Sequence, residues 1–188
     1  MTTTIPALIQ PGDFFVTQIS GDVGKWIGFG ELLDSGSFAH PFNRELHELD
    51  VFSHAAVYVG DGNIVEAEVG GARSYTIDEY LDGRPIMFST GLFGIDAATG
   101  LKIAAEAIKL IGTPYSFVDY AAIATRRLHL PAPGLKDYIK DSGHLICSQL
   151  ADLAHQRAGV QLFADGRWNG DVTPMDLAQL LVSKGATP

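Results

Sequence analysis

Residues 52–68 read FSHAAVYVGDGNIVEAE, and the fold turns on how this stretch is paired. Two runs rich in β-branched and apolar residues, 52–59 and 64–69, flank Gly60-Asp61-Gly62, the pattern of an antiparallel hairpin. Hairpins of this length are built mostly from apolar and neutral polar residues, yet this one carries His54 on one arm and Glu66 on the other. Whether the two side chains meet depends on register. A two-residue turn at Asp61-Gly62 sets Gly60 against Asn63 and His54 against Val69, and Glu66 then points to the other face. A three-residue loop, with Gly62 left-handed in a bulge, sets Val59 against Asn63. His54 then falls opposite Glu68, and Glu66 opposite Ala56 on the same face as His54. Asp-Gly serves either turn, so both registers stay open.

Around the hairpin the first half of the chain is strand-like. Residues 14–19, FFVTQI, follow the turn Pro11-Gly12-Asp13, and residues 85–90, PIMFST, read as a further strand. Residues 23–35 have apolar positions near helical spacing, weakened by Gly28 and Gly30, and 36–50 read as an irregular excursion. The second half is helical. Residues 96–112 have helical periodicity with Gly112 placed for a C-cap, and 115–130 continue as a helix until PAPG stops it. A helix beginning near Cys147 closes at Ala158-Gly159, and another starts with Thr173 as cap and Pro174 in the first turn. Without repeats or linkers, residues 1–188 are expected to form one α+β domain, an antiparallel sheet packed by helices.

Composition narrows the function classes. The 188 residues suffice for a full core. A net charge of −9 argues against nucleic-acid binding, which needs clustered cations, although Arg126 and Arg127 could form a local basic patch. A single cysteine permits no intrachain disulfide, so folding requires no oxidising compartment. The N-terminal stretch lacks the basic and apolar regions of a signal peptide, and no apolar run is long enough to span a membrane. The expectation is a cytoplasmic protein or one exported without its own leader, as on a phage particle.

The lone cysteine, Cys147, stands where a helix should begin. First-turn amides and the helix dipole favour a thiolate there, and a nearby imidazole stabilises it and later protonates a leaving group. His54 could supply the imidazole, and a carboxylate on the next strand could hold its ring, completing a Cys-His-carboxylate triad. Taken singly, Cys147 reads equally as a small core residue, His54 as a hydrogen-bonded strand residue, and Glu66 as a solvent-facing acid. His40, His47, His54, His144 and His155 raise the question of zinc. Structural sites use tighter ligand pairs and more cysteines, so no metal and no cofactor are expected.

The segment SHAAVYVGDGNIVEA resembles the histidine hairpin of the NlpC-type papain-like superfamily, in which a polar residue twelve positions after the histidine orients it. PGD before a strand, IGTPYSF at residues 111–117 and ICSQLADLAHQRAG at 146–159 resemble further segments of that family. The histidine precedes the cysteine, the order of the circularly permuted branch. Glu66, CSQL and TPMDLA are similar to its YiiX-like members, and the second histidine and Asn-Cys-Glu-His segment of the lecithin:retinol acyltransferase relatives are absent. The resemblance implies a permuted papain-like fold, Cys147 as nucleophile, His54 as base and then acid, and Glu66, with Glu68 as the alternative, as orienting group. Tyr115 matches a cleft tyrosine that could donate to the oxyanion or simply pack in the core. The implied activity is that of a cysteine peptidase or amidase acting on a peptide or peptidoglycan fragment. The alternatives are acyl transfer or thioester chemistry on an acyl-lipid, and a non-catalytic component of a larger assembly.

Overall fold

The computed structural model describes residues 5–18, 49, 51–115 and 145–187. These form strands β1 (Phe14–Thr17), β2 (His54–Gly60), β3 (Asn63–Glu68), β4 (Gly71–Thr76) and β5 (Ile86–Phe88). They also form helices α1 (Ala97–Lys109), α2 (Cys147–Arg157) and α3 (Pro174–Ser183), with short 3₁₀ turns at Ile77–Tyr80 and Asn169–Asp171. All strand pairings are antiparallel, in the order β4-β3-β2-β1-β5, so the fold class is α+β as expected. The expected helix over 23–35, that over 115–130 beyond Tyr115, and most of the excursion 36–50 lie outside the described residues. So do Arg126, Arg127, His40, His47 and His144. Tyr115 itself sits in a β-bridge.

The hairpin takes neither register whole. Asp61 and Gly62 form a two-residue turn with φ of 51° and 73°, positive at both central positions as a type I′ turn requires, and Gly60 faces Asn63. The pairing then shifts between Tyr58 and Gly60, with Val59 as the extra residue of a bulge. Beyond it Tyr58 faces Ile64 and Ala56 faces Glu66. The turn belongs to the first expected register and the body of the ribbon to the second. The bulge turns Glu66 to the His54 face.

Strand β4 and the 3₁₀ turn after it were not anticipated from the sequence. A tight link at Val69-Gly70 returns the chain, and Arg73 lies directly opposite Glu66. Alternation gives the sheet two faces. Phe14, Val16, Ala55, Val57, Val65 and Ala67 pack into one core with Ile103 and Ala107 of α1, Leu150 and Ala154 of α2, and Leu177 and Leu181 of α3. The other face carries Phe15, Ala56 and Ile64, packed with Ile77 and Tyr80. Because Ala55, Val65 and Ala67 face the helices, His54 and Glu66 point the other way, toward Tyr80.

The helices start where their caps dictate. Asp96 accepts the Thr99 amide at 2.7 Å to open α1, and Thr173 and Asp176 cap each other's amides at the head of α3, where Pro174 is the first helical residue. Cys147 is the first residue of α2, and Gln149 reaches back to accept the Ile146 amide at 3.1 Å. α1 meets the turn before β1 at a crossing only glycines allow. A Cβ on Gly100 would lie 2.3 Å from the Pro11 carbonyl oxygen, and Gly12, at φ 93°, faces Gly100 in return. No helix among the described residues is long and apolar enough to cross a membrane.

Candidate catalytic site

Three elements converge on the imidazole of His54. The ring sits at the start of β2, Glu66 reaches it from mid-β3, and α2 packs on β2 with Cys147 at its N-terminal end. His54 Nε2 lies 3.0 Å from Glu66 Oε2, and the ring shares a hydrogen bond with Cys147. The sulfur, imidazole and carboxylate anticipated from the sequence are brought together. Of the two glutamates, Glu66 contacts the ring. Glu68 instead accepts from Arg73 at 2.7 Å.

The carboxylate is held from three sides. Arg73 donates through Nε to Glu66 Oε1 at 2.9 Å, and a second guanidinium nitrogen lies 2.8 Å from the same oxygen. The Tyr80 hydroxyl donates to Glu66 Oε2 and stands 3.2 Å from His54 Nε2. Since that O–H is given to the carboxylate, the phenol oxygen can accept from Nε2–H. The Tyr80 ring also stacks on the imidazole, with centroids 5.5 Å apart and planes 15° from parallel. With Nε2 taken by Glu66 and Tyr80, Nδ1 is the nitrogen left to exchange a proton with sulfur.

Electrostatics follow from these contacts. Burial alone would lower the imidazole pKa, but the charge and hydrogen bond of the Cys147 sulfur, then those of Glu66, push it up to about 10. Burial would likewise raise the Glu66 carboxyl; the bond and charge of His54, with Tyr80 and Arg73, hold it below its ordinary value. Burial and the neighbouring Glu66 charge raise the Tyr80 phenol far above its usual range, so it stays a donor. His54, Glu66 and Glu68 offer ligand atoms within 4.8 Å of one another, a spacing that could suit a cation. Arg73 already bridges both carboxylates, however, and its positive charge stands where a metal ion would need negative surroundings.

The centre is sealed. Cys147 and Glu66 have 0% exposure and His54 1%, so a substrate carbonyl reaches sulfur only when neighbouring groups part. Tyr115 is half-buried against the main core, and its backbone bridges Leu145, two residues before Cys147. Sequence reasoning missed Arg73 and Tyr80. The Val69-Gly70-Gly71 link would have revealed β4, and two-residue pairing across it sets Arg73 against Glu66. No local signal marked Tyr80, which arrives through a single 3₁₀ turn.

Fold and site together define an α+β protein with a buried thiol–imidazole–carboxylate array. No protein-family model matches the chain, and comparison with curated proteins returns no match either.

Proposed function

We propose that this chain is a cysteine hydrolase of the circularly permuted, YiiX-like branch of the NlpC-type papain-like superfamily, cleaving an amide through an acyl-enzyme on Cys147. The observation that carries the reading is the hydrogen-bonded chain from Cys147 through His54 to Glu66. The order of histidine, glutamate and cysteine along the chain supports the permuted assignment. Cys147 as the first residue of a helix and the antiparallel sheet beneath it agree with such a fold.

In this mechanism His54 holds the proton surrendered by the thiol, and the thiolate attacks the amide carbonyl carbon. First-turn amides of α2, including that of Cys147, face the developing oxyanion, and Tyr115 is a candidate second donor. Collapse of the tetrahedral species breaks the C–N bond as the imidazolium gives its proton to the leaving amine. A water then enters; His54 takes its proton, the hydroxide adds to the thioester carbonyl, and the carboxylic acid departs as Cys147 is regenerated. Glu66 keeps Nε2–H oriented and stabilises the imidazolium throughout. No cofactor takes part.

Peptide or peptidoglycan-stem amides are the leading substrates, a class drawn from the resemblance. Incubation with peptidoglycan fragments, peptides and acyl-lipids, read by mass spectrometry, tests it. Wild-type protein is expected to release a free amine and acid from the amide set. Cys147→Ala abolishes this, and His54→Ala lowers it at least about 10³-fold. Full turnover by Cys147→Ala would refute the mechanism, and products from the lipid set alone would move the assignment to acyl-lipid chemistry.

A further inference from the structure

The triad accounts for three side chains, but a fourth touches two of them. Tyr80 stands at the end of the 3₁₀ turn Ile77–Tyr80, buried, with its ring packed against Phe15 and stacked on His54. Its hydroxyl meets Glu66 Oε2 and His54 Nε2 together, closing a three-membered hydrogen-bonded ring of phenol, carboxylate and imidazole. A tyrosine placed there only to fill space would need neither contact.

We propose that Tyr80 is a positioning residue which locks the orientation of the His54 ring and its Nε2–H tautomer, so that Nδ1 is presented to Cys147. This rests on the catalytic reading above for its effect on turnover, but not for its effect on the imidazole. An imidazole with a single partner can swing about χ2 or exchange tautomers, and either motion withdraws Nδ1 from sulfur. The Glu66 carboxylate restrains one nitrogen at one point. The phenol adds a second polar contact at that nitrogen, and its ring covers one face of the imidazole. Arg73 acts one step further out, fixing Glu66 Oε1 while Tyr80 and His54 share Oε2. Among the described residues, the groups facing the imidazole are Glu66 from β3, Tyr80 from the 3₁₀ turn and Cys147 from α2, with Arg73 and Glu68 bearing on Glu66 from the strand edge.

Tyr80→Phe keeps the stack and removes only the hydroxyl. Two readouts decide the matter. In proton–nitrogen NMR of the full chain, the wild-type His54 Nε2–H is expected to give a downfield, slowly exchanging resonance. In Tyr80→Phe it should move upfield and exchange with water faster. On an amide that the substrate panel shows to be cleaved, kcat should fall about tenfold with KM unchanged and the melting temperature little altered. Tyr80→Leu, which also removes the stack, should lose more kcat than Tyr80→Phe.

An unchanged Nε2–H resonance in Tyr80→Phe would overturn the proposal, and so would a rise in KM with kcat intact. If wild type and Cys147→Ala are equally inert on every substrate, the hydrolase reading fails, and the resonance alone decides the role of Tyr80. If Tyr80→Leu fails to fold, Tyr80→Phe still carries both readouts.

Discussion

Glu66 spends both carboxylate oxygens on three partners, Arg73 on one and His54 with Tyr80 on the other, and it has no exposed surface. A buried carboxylate so placed needs every one of those donors, because an unpaired charge out of water is strongly unfavourable. Glu66→Gln keeps the size and an oxygen for Nε2–H and the phenol but presents an amide NH₂ to the Arg73 guanidinium. It should lower kcat about 10- to 100-fold, less than His54→Ala, and steady-state kinetics on the amide substrate measures it. His54 makes the pH dependence specific. In the proposed mechanism the imidazolium protonates the leaving amine, and its pKa is raised from the ordinary 6.5 to about 10. The sign follows directly: raising the pH leaves the acid form intact until the folded pKa is passed. The alkaline limb of kcat/KM should therefore fall near pH 10, well above the value for a free imidazole, and a descent near 6.5 would contradict the raised imidazole.

At the scale of elements, the sequence and the structure part company at identifiable places. The caps were legible because they are local: Thr173 with Pro174, and Cys147 at a helix start, need only neighbouring residues to act. The hairpin was legible in type but not in register, since Asp-Gly fits both turns and the Val59 bulge leaves no mark of its own. Glu66 could thus be named as the partner of His54 only conditionally, until pairing with β1 and β4 fixed the ribbon. β4 is marked in the sequence only by the glycines that precede it, because GARSYT carries little apolar alternation and its outer residues are exposed. It is a strand by virtue of the edge it completes. The α1 contact with residues 11–12 shows the same dominance of tertiary packing. Gly100 lies inside a helix, where alanine is ordinarily favoured by about 1 kcal/mol. Here the added Cβ would meet backbone on the other side, at 2.3 Å from Pro11 oxygen, and backbone yields little. Gly100→Ala should accordingly destabilise the protein by about 1–3 kcal/mol, against its helix propensity, as chemical denaturation would show. A gain in stability would mean that α1 does not sit on that turn.

For the molecule as a whole, the same core that buries the Cys147 thiol also encloses a second histidine, outside the thiol–imidazole–carboxylate array. His155, near the end of α2, is fully buried, its Nδ1 donating to the Ala151 carbonyl at 2.8 Å and its ring set edge-on to Phe14. Its Nε2 has no partner among the described residues. A proton there would be a charge in the core without a counter-ion among the described residues, and burial lowers the pKa to about 4, with the Ala151 bond opposing only in part. Between pH 6.5 and about 4 the unfolded chain binds a proton at this residue and the folded chain does not. Stability therefore rises with pH across that window, is complete above 6.5, and is lost as the pH falls through it. The span corresponds to about 3 kcal/mol at this one site. Asp13 and Asp152, whose carboxyls burial raises, work in the opposite sense from their ordinary 3.8 upward, so the wild-type curve alone would blur the effect. The difference between wild type and His155→Leu isolates it. Leucine fills similar space and takes up no proton, so the two proteins should diverge on acidification, with wild type losing about 3 kcal/mol more between pH 7 and pH 4 in urea titrations. Parallel losses in both would mean that the imidazole accepts its proton without leaving the folded core.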